Sequence, residues 1–488
     1  VPRRPALFGL LGGVLTAAGL APFGWWALAL VGMAVLVDTI GEHRRRGRLT
    51  IGLAYGAGLC LPGLWWMTEF SAPGYVLAAL LEATMIGVVV ALAPSGRFRY
   101  LGVPAALVLA DALRGTWPWG GVPVATIAQT QVGGPLLGVA RVGGPLLLTW
   151  VAGAAAVALL ALVRRRVLLL LGAGAMVTAM VLLAAVAPDG HRVGSIDVAV
   201  VQGGGRRGTR AVTTSSVKVF QAHLAASEQV QVGTDLVLWP EDVVDVDEDV
   251  RETTYGDQLS GLAMDLDTTL VAGVVASKGD HFTNVAQVWT RDGSFGPTYE
   301  KNQRVPFGEF IPFRSLIEKV ADVSAVPHDA RIGKGPGILR TDAGDLGVVI
   351  SYEVFFARRA RAAIRAGGEV LLVPTNATSY STTQMPALEL DAARLRAVET
   401  GRAVVQAAPT GFSAVVDANG TVRSHSDLGR RQVLHAEVER RRGRTIYTVV
   451  GDLPALLAAL ATLGLARFLR RLLPGRSANW LRPTSTRA

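Results

Sequence analysis

Cysteine is nearly absent from this 488-residue chain: the single one, Cys60, sits inside an apolar run. No disulfide can form within the chain, and no zinc pattern of paired cysteines exists. The seven histidines are scattered and never reach a metal-ligand spacing, so a metal centre is not expected. Acidic residues are also in short supply, 38 against 48 lysines and arginines, for a net charge of +10. That excess carries no nucleic-acid motif. Most of its clusters fall in short loops between apolar runs: Arg3–Arg4, Arg44 to Arg48, Arg97 to Arg99, Arg164–Arg166 and Arg467 to Arg476. Membrane topology accounts for such placement better than a polyanionic partner does.

What the chain has in abundance is apolar sequence. Half of it is hydrophobic, and the mean hydropathy is +0.37. The distribution is uneven. Residues 6–186 are almost continuously apolar, 188–450 have the composition of a soluble domain, and 453–473 turn apolar again. The expected organisation is a seven-span membrane domain over 1–187, an α/β domain over 188–450, an eighth span within 451–475 and a tail at 476–488. The spans are read at roughly 6–22, 25–40, 51–68, 75–94, 100–114, 143–163, 167–186 and 453–473, several near the lower length limit for crossing a bilayer. The basic start of the first resembles a signal peptide, but the further spans make it a retained anchor.

With the N-terminus inside, the arginine-rich loops at 41–50, 95–99 and 164–166 and the C-terminal tail all become cytoplasmic. The opposite loops, 69–74 and 115–142, carry only Glu69 and Arg141 as charges. The positive-inside rule then puts 188–450 outside the cytoplasmic membrane. Glu69, Glu82, Asp111 and Arg114 lie in or near spans, where an unpaired charge is costly. Asp111 and Arg114, spaced i,i+3, suit a structural pair on one helix face; holding a lipid headgroup is the minority reading.

Within 188–450, β-branched runs at 195–202, 234–240, 268–277, 282–291, 346–352, 369–375, 403–408, 412–417 and 432–439 alternate with helical stretches at 211–230, 252–266, 355–367 and 386–401. The unbroken apolar runs at 346–350 and 370–373 suit strands buried on both faces. Gly203 to Gly208 matches the dinucleotide fingerprint, but such a match arises easily in glycine-rich sequence, and the compartment argues against the ligand; these glycines are read as a flexible loop. Asn376 and Asn419 start glycosylation patterns that are frequent by chance.

Three patches carry chemistry. Leu236 to Asp242 is a buried strand ending in Glu241, at the strand edge where α/β folds bind ligands; a solvated loop acid is the equal alternative. Tyr299 to Phe313 surrounds Lys301 and Glu309 with three phenylalanines, which suits contact with lipid or a partner, or a small satellite core. Leu346 to Phe356 puts Ser351 after a buried strand, a position suited to a nucleophile on a strand-to-helix turn or to a helix cap.

Together the three patches resemble the nitrilase, or carbon–nitrogen hydrolase, superfamily, whose triad is glutamate, lysine and cysteine in that chain order. Seven spans, a nitrilase-like domain and a last span are similar to the apolipoprotein N-acyltransferase family. Lys301-Asn-x-x-Val-Pro-Phe-Gly-Glu-Phe-x-Pro is close to that family's motif, and Leu113-Arg-Gly-x-x-Pro-Trp119 to another in degenerate form. The resemblance implies an αββα sandwich joined to a multi-span α-helical membrane domain. It implies a bacterial cell-membrane enzyme with both termini cytoplasmic and the catalytic domain outside. It assigns Glu241 as general base, Lys301 as stabiliser of the tetrahedral intermediate and position 351 as nucleophile, with Glu309, Tyr352 and Glu353 in support. Phe307, Phe310, Ile311 and Phe313, with Phe355 and Phe356, are read as apolar arms that dip into the lipid interface, with ordinary core packing as the alternative for some of them, Phe355 or Phe356 first.

The implied reaction moves an acyl group from phospholipid to the nucleophile. It then passes to the α-amine of an S-diacylglyceryl cysteine on a lipoprotein, with no cofactor. The chain departs from the family in one place: the family has cysteine where Ser351 stands. A thiol is drawn down to a thiolate far more readily than a hydroxyl is ionised, so the serine is expected to mark an inactive form. A membrane-tethered amidase and a non-catalytic lipoprotein-binding protein are the rival readings.

Overall fold

The computed structural model describes residues 4–208, 214–319, 323–324, 326 and onward to 473. The expected C-terminal tail, 476–488, lies outside the described residues. The N-terminal half is seven helices: α1 (Pro5–Ala17), α2 (Trp26–Ile40), α3 (Arg45–Gly63), α4 (Ala72–Leu92), α5 (Arg99–Arg114), α6 (Ala140–Val163) and α7 (Val167–Val186). Four described helices are long and apolar enough to cross a membrane: α4, α6 with the turn before it, α7, and Leu453–Leu472 near the C-terminus. Leu169, Ala173, Met176, Val177, Met180 and Ala184 of α7 pack one face against the bundle, and the opposite face is left for lipid. Helices α1 and α3 instead pack backbone to backbone. A Cβ on Gly13 would lie 2.0 Å from the carbonyl oxygen of Tyr55, the small-residue contact that lets membrane helices approach closely.

The charges inside this bundle are paired. Arg114, with no exposure, bonds Glu82 of α4, lies 3.3 Å from Asp111, and donates to the carbonyls of Val124 and Ala125. Asp111 accepts in turn from the Ile127 backbone and from Thr149 of α6. The i,i+3 pair read from sequence is therefore one side of a network that ties helices α4, α5 and α6 to the loop at 121–131, and no member is left as an uncompensated buried charge.

The second half is a sandwich of two sheets. The first has β1 (His191–Gln202), β2 (Leu236–Leu238), β3 (Val244–Val246), β4 (Thr269–Lys278), β5 (His281–Trp289), β6 (Phe295–Glu300) and β7 (Asp329–Ala330). The second holds β8 (Ile338–Thr341), β9 (Gly344–Val348), β10 (Val370–Pro374), β11 (Val404–Ala407), β12 (Ala414–Val416) and β13 (Val422–His425). The last strand, β14 (Gln432–Arg442), returns to pair antiparallel with β1. The orders are β14-β1-β2-β4-β5-β6 and β13-β12-β11-β10-β9-β8, with β1-β2-β4 and β9-β10-β11 parallel at the centres.

Period-two alternation assigns the faces. Val198 and Val200 of β1 meet Val370 and Leu372 of β10 between the sheets. Ala199 and Val201 face outward to helices α8 (Ser216–Ser227) and α9 (Thr254–Asp265). The four residues of α10 (Arg314–Ile317) lie on a surface loop. Leu371 and Val373 face α11 (Ala357–Arg365) and α12 (Met385–Thr400), which share a continuous core with the membrane helices. After β14 come α13 (Ile446–Val450) and the last span, α14 (Leu453–Leu472). The architecture is αββα, with one helix layer resting on the membrane domain. The glycine stretch at 203–208 is less loose than expected: Gly204 and Gly205 donate to Pro409 and Gly429 at 2.9 and 3.0 Å.

Candidate active site

Glu241 follows β2 by three residues, where Gly273 of the neighbouring β4 lets the chains close up. A Cβ on that glycine would stand 2.5 Å from the Glu241 Cα. Lys301 directly follows β6, its backbone held to Asn284 of β5 at 2.9 Å. The end of β2, closed onto β4, and the end of β6, held to β5, therefore bring an acid and an amine together in space although 60 residues separate them. The Lys301 Nζ donates to Glu241 Oε1 at 2.8 Å and to Glu309 Oε1 at 2.7 Å. Asn284 Nδ2 donates to the same two oxygens at 2.8 and 3.3 Å. Glu309 Oε2 accepts from the Val305 backbone at 2.8 Å, which folds the 301–313 loop back over the lysine.

Ser351 comes three residues after β9 and opens a short turn, with φ at +48°. A β-carbon disfavours that conformation, and such outliers concentrate at functional sites. Ser351, Glu241, Lys301, Glu309 and Tyr352 all line one cavity of about 200 Å³. Glu353, fully buried, stands behind it. It accepts from the backbones of Ile350, Asn302 and Gln303 at 2.9 to 3.0 Å and from Tyr299 Oη at 3.0 Å, so it ties the lysine loop to the serine turn. Tyr352 Oη donates to the carbonyl of Gly121, in the membrane domain, at 3.1 Å.

Burial sets the electrostatics. It pushes the Glu241 carboxyl up, against the pull of Lys301. Burial also works against the Lys301 ammonium, but Glu241 and Glu309 outweigh it and the amine is held firmly protonated. Two of its three N–H groups are engaged by carboxylates, leaving one for a ligand oxygen. Among the described residues no group of three or more histidine, cysteine or acidic side chains is placed to hold a metal.

The apolar arms divide. Phe307 and Phe313 are exposed, 40 % and 71 %, and gather around Trp119 with ring centroids 5.8 and 6.4 Å away. Phe310 is half-buried beneath the Arg304 guanidinium, 4.2 Å from its ring centre. Ile311, expected as an arm, is buried, and Phe355 and Phe356 take the alternative of core packing, in the core shared with the membrane helices. Sequence reading passed over Trp66, Asp242, Asn376, Tyr380 and Glu389, which also line the cavity. Trp66 comes from the turn between α3 and α4 and packs edge-on against Tyr380 at 5.4 Å. Only Asp242, adjacent to Glu241, carried a local signal.

A buried glutamate, a lysine hydrogen-bonded to it and a hydroxyl on a strained turn line one cavity. The carbon–nitrogen hydrolase family pattern matches residues 197–447, and the chain belongs to that family. The apolipoprotein N-acyltransferase N-terminal domain matches residues 12–158. Over its length the chain is 26 % identical to the apolipoprotein N-acyltransferase of Vibrio vulnificus, covering 96 % of this chain and 97 % of that one. It is 28 % identical to that of Pseudomonas syringae pv. tomato, with the same coverage. Nit3 of Saccharomyces cerevisiae, a nitrilase-superfamily structure, matches 60 % of this chain and 99 % of its own at 19 % identity and a TM-score of 0.37. Membrane half and soluble half together are those of an apolipoprotein N-acyltransferase, a membrane acyltransferase.

Proposed function

We propose that the chain is built to acylate the α-amine of S-diacylglyceryl cysteine at lipoprotein N-termini with a fatty acyl group drawn from phospholipid. The observation that carries this reading is the composition of the cavity. Trp66 of the membrane helices completes a site whose acid, amine and nucleophile position come from the sandwich. A site for a small soluble amide needs no such wall, and a lipid-borne substrate does. The exposed Phe23, Trp25, Trp65, Phe70, Trp117 and Trp119 all occupy turns at one end of the bundle, as an interfacial aromatic belt would. The arginine-rich loops are at the other end. That asymmetry supports an extracytoplasmic sandwich with both termini inside, and the domain limits 1–187, 188–450 and 451–475.

In the first half-reaction Glu241 takes the proton of the residue at 351, whose heteroatom attacks the acyl ester carbonyl. Lys301, with its free N–H, holds the oxyanion, and lysophospholipid leaves with the proton. In the second, the lipoprotein amine attacks the enzyme-bound ester and carries off the acyl group as an amide. Glu309 fixes the lysine, Glu353 joins the two catalytic loops, and Tyr352 docks the nucleophile turn on the membrane domain. Ser351 is the weak point: the carboxylate must ionise a hydroxyl where the family ionises a thiol, so the chain with serine is an inactive form. Labelled phospholipid and a diacylglyceryl-cysteine peptide test this. The Ser351→Cys form transfers label through a hydroxylamine-labile intermediate and the serine form does not. Peptide binding without transfer by either form would instead favour a lipoprotein-binding protein.

A further inference from the structure

One carboxyl in the reaction cavity has no task in the scheme above. Glu389 lies on α12, is 2 % exposed, and lines the cavity with Glu241, Lys301 and Ser351. Its Oε1 accepts from Thr375 Oγ1 at 2.8 Å. Among the described residues no cation pairs with it, and Oε2 has no protein donor. Across the same cavity Asp242 Oδ1 is buried and also without a donor. Both acids thus line the space that the transferring nitrogen must enter. Buried acceptors of this kind call for a donor.

The acyl-acceptor chemistry needs what they offer. An α-ammonium has three N–H bonds and no lone pair, and it becomes an amide nitrogen carrying one hydrogen. Two protons must leave it. Glu241 can take only one, for return to the departing residue 351. We propose that Glu389 takes the other: it is the proton acceptor for the lipoprotein α-ammonium in the second half-reaction. This rests on the acyl-transfer reading above.

The steps balance. As the cation enters, Glu389 gives its resting proton to solvent, because a nearby positive charge favours the carboxylate. It then takes one proton from the ammonium. The freed nitrogen attacks the acyl carbon, the C–N bond forms, and Lys301 holds the oxyanion. The bond from carbon to residue 351 breaks, the second proton passes through Glu241 to the leaving heteroatom, and Glu389 releases its proton to water. The energetics suit the role. Burial raises the Glu389 carboxyl to about 8, with Thr375 pulling it down, Glu241 adding to the rise and Lys301 opposing it. Free α-amino groups titrate at about 7.7–8.0, so proton transfer between the two is nearly level.

The test uses the full-length Ser351→Cys protein in phospholipid micelles, loaded with labelled acyl group and then discharged at pH 7. One arm uses the diacylglyceryl-cysteine peptide, and the other uses hydroxylamine, a nucleophile already neutral at that pH. Adding Glu389→Gln should slow discharge to peptide about a hundredfold and leave discharge to hydroxylamine within about twofold. Glu389→Asp should recover part of the loss. Equal slowing in both arms, unchanged peptide transfer, or failure of the Glu389→Gln protein to load would each overturn the assignment. A Ser351→Cys parent that never loads overturns the acyl-transfer reading itself, and that is read before either nucleophile is added.

Discussion

Lys301→Met, made in the Ser351→Cys protein, separates catalytic from structural roles of the amine. The Nζ holds Glu241 and Glu309 at 2.8 and 2.7 Å, with side-chain exposures of 3 % for the lysine and 4 % and 13 % for the acids, so little solvent screens the contacts. Removing it takes away the oxyanion donor, which should slow acyl-enzyme formation by about 10²–10³. It also leaves two buried acids without a cation, at a cost of about 3–5 kcal/mol when both are ionised. Glu241 can escape part of that cost by protonation. Burial already raises its carboxyl and Lys301 opposes the rise, so with the ammonium gone it climbs further and the folded chain binds more protons than the unfolded one. Stability then falls as pH rises. The deficit should be small at pH 5 and large at pH 8. Stopped-flow loading from labelled phospholipid measures the first effect, and thermal unfolding in detergent at the two pH values measures the second. Loading within about fivefold of the parent, or a deficit of equal size at both pH values, would refute the reasoning.

Two further substitutions follow from the membrane-facing parts. Arg114→Leu leaves Glu82 and Asp111 without their cation inside the bundle and should lower thermal stability by several kcal/mol. Adding Glu82→Gln and Asp111→Asn should restore part of it, and an unchanged unfolding temperature for Arg114→Leu alone would count against the network. Trp119→Ser with Phe313→Ser removes the exposed aromatic surface that the 301–313 loop shares with the membrane domain. It should raise KM for vesicle phospholipid several-fold with kcat little changed, and equal effects on a water-soluble thioester donor would show that the aromatics are not a lipid contact.

Much of the fold was legible because burial leaves a periodic trace. Near-continuous apolar runs marked β9 and β10, flanked by sheet on both sides, and the long apolar segments marked the helices. Short edge strands such as β3 and β13 carry no such trace. What failed were statements about which partner an apolar or acidic residue meets. Phe355 and Phe356 read as lipid-facing arms or as core packing, because sequence does not distinguish lipid from a helix of the same chain; α12 and the membrane helices cover them. Glu389 has no local feature that marks it, and the packing of α12 between sheet and bundle buries it. Trp66, 235 residues before Lys301, enters the cavity through a domain contact with no local signature, so the site's membrane wall was invisible in the pattern.

The most direct measurement of the central claim is single-turnover acyl transfer from labelled phospholipid to a diacylglyceryl-cysteine peptide by the Ser351→Cys chain. Label that appears first on the protein, is released by hydroxylamine and then moves to the peptide amine is the expected result. A folded Ser351→Cys protein that never carries label, with phospholipid and peptide both bound, would contradict it.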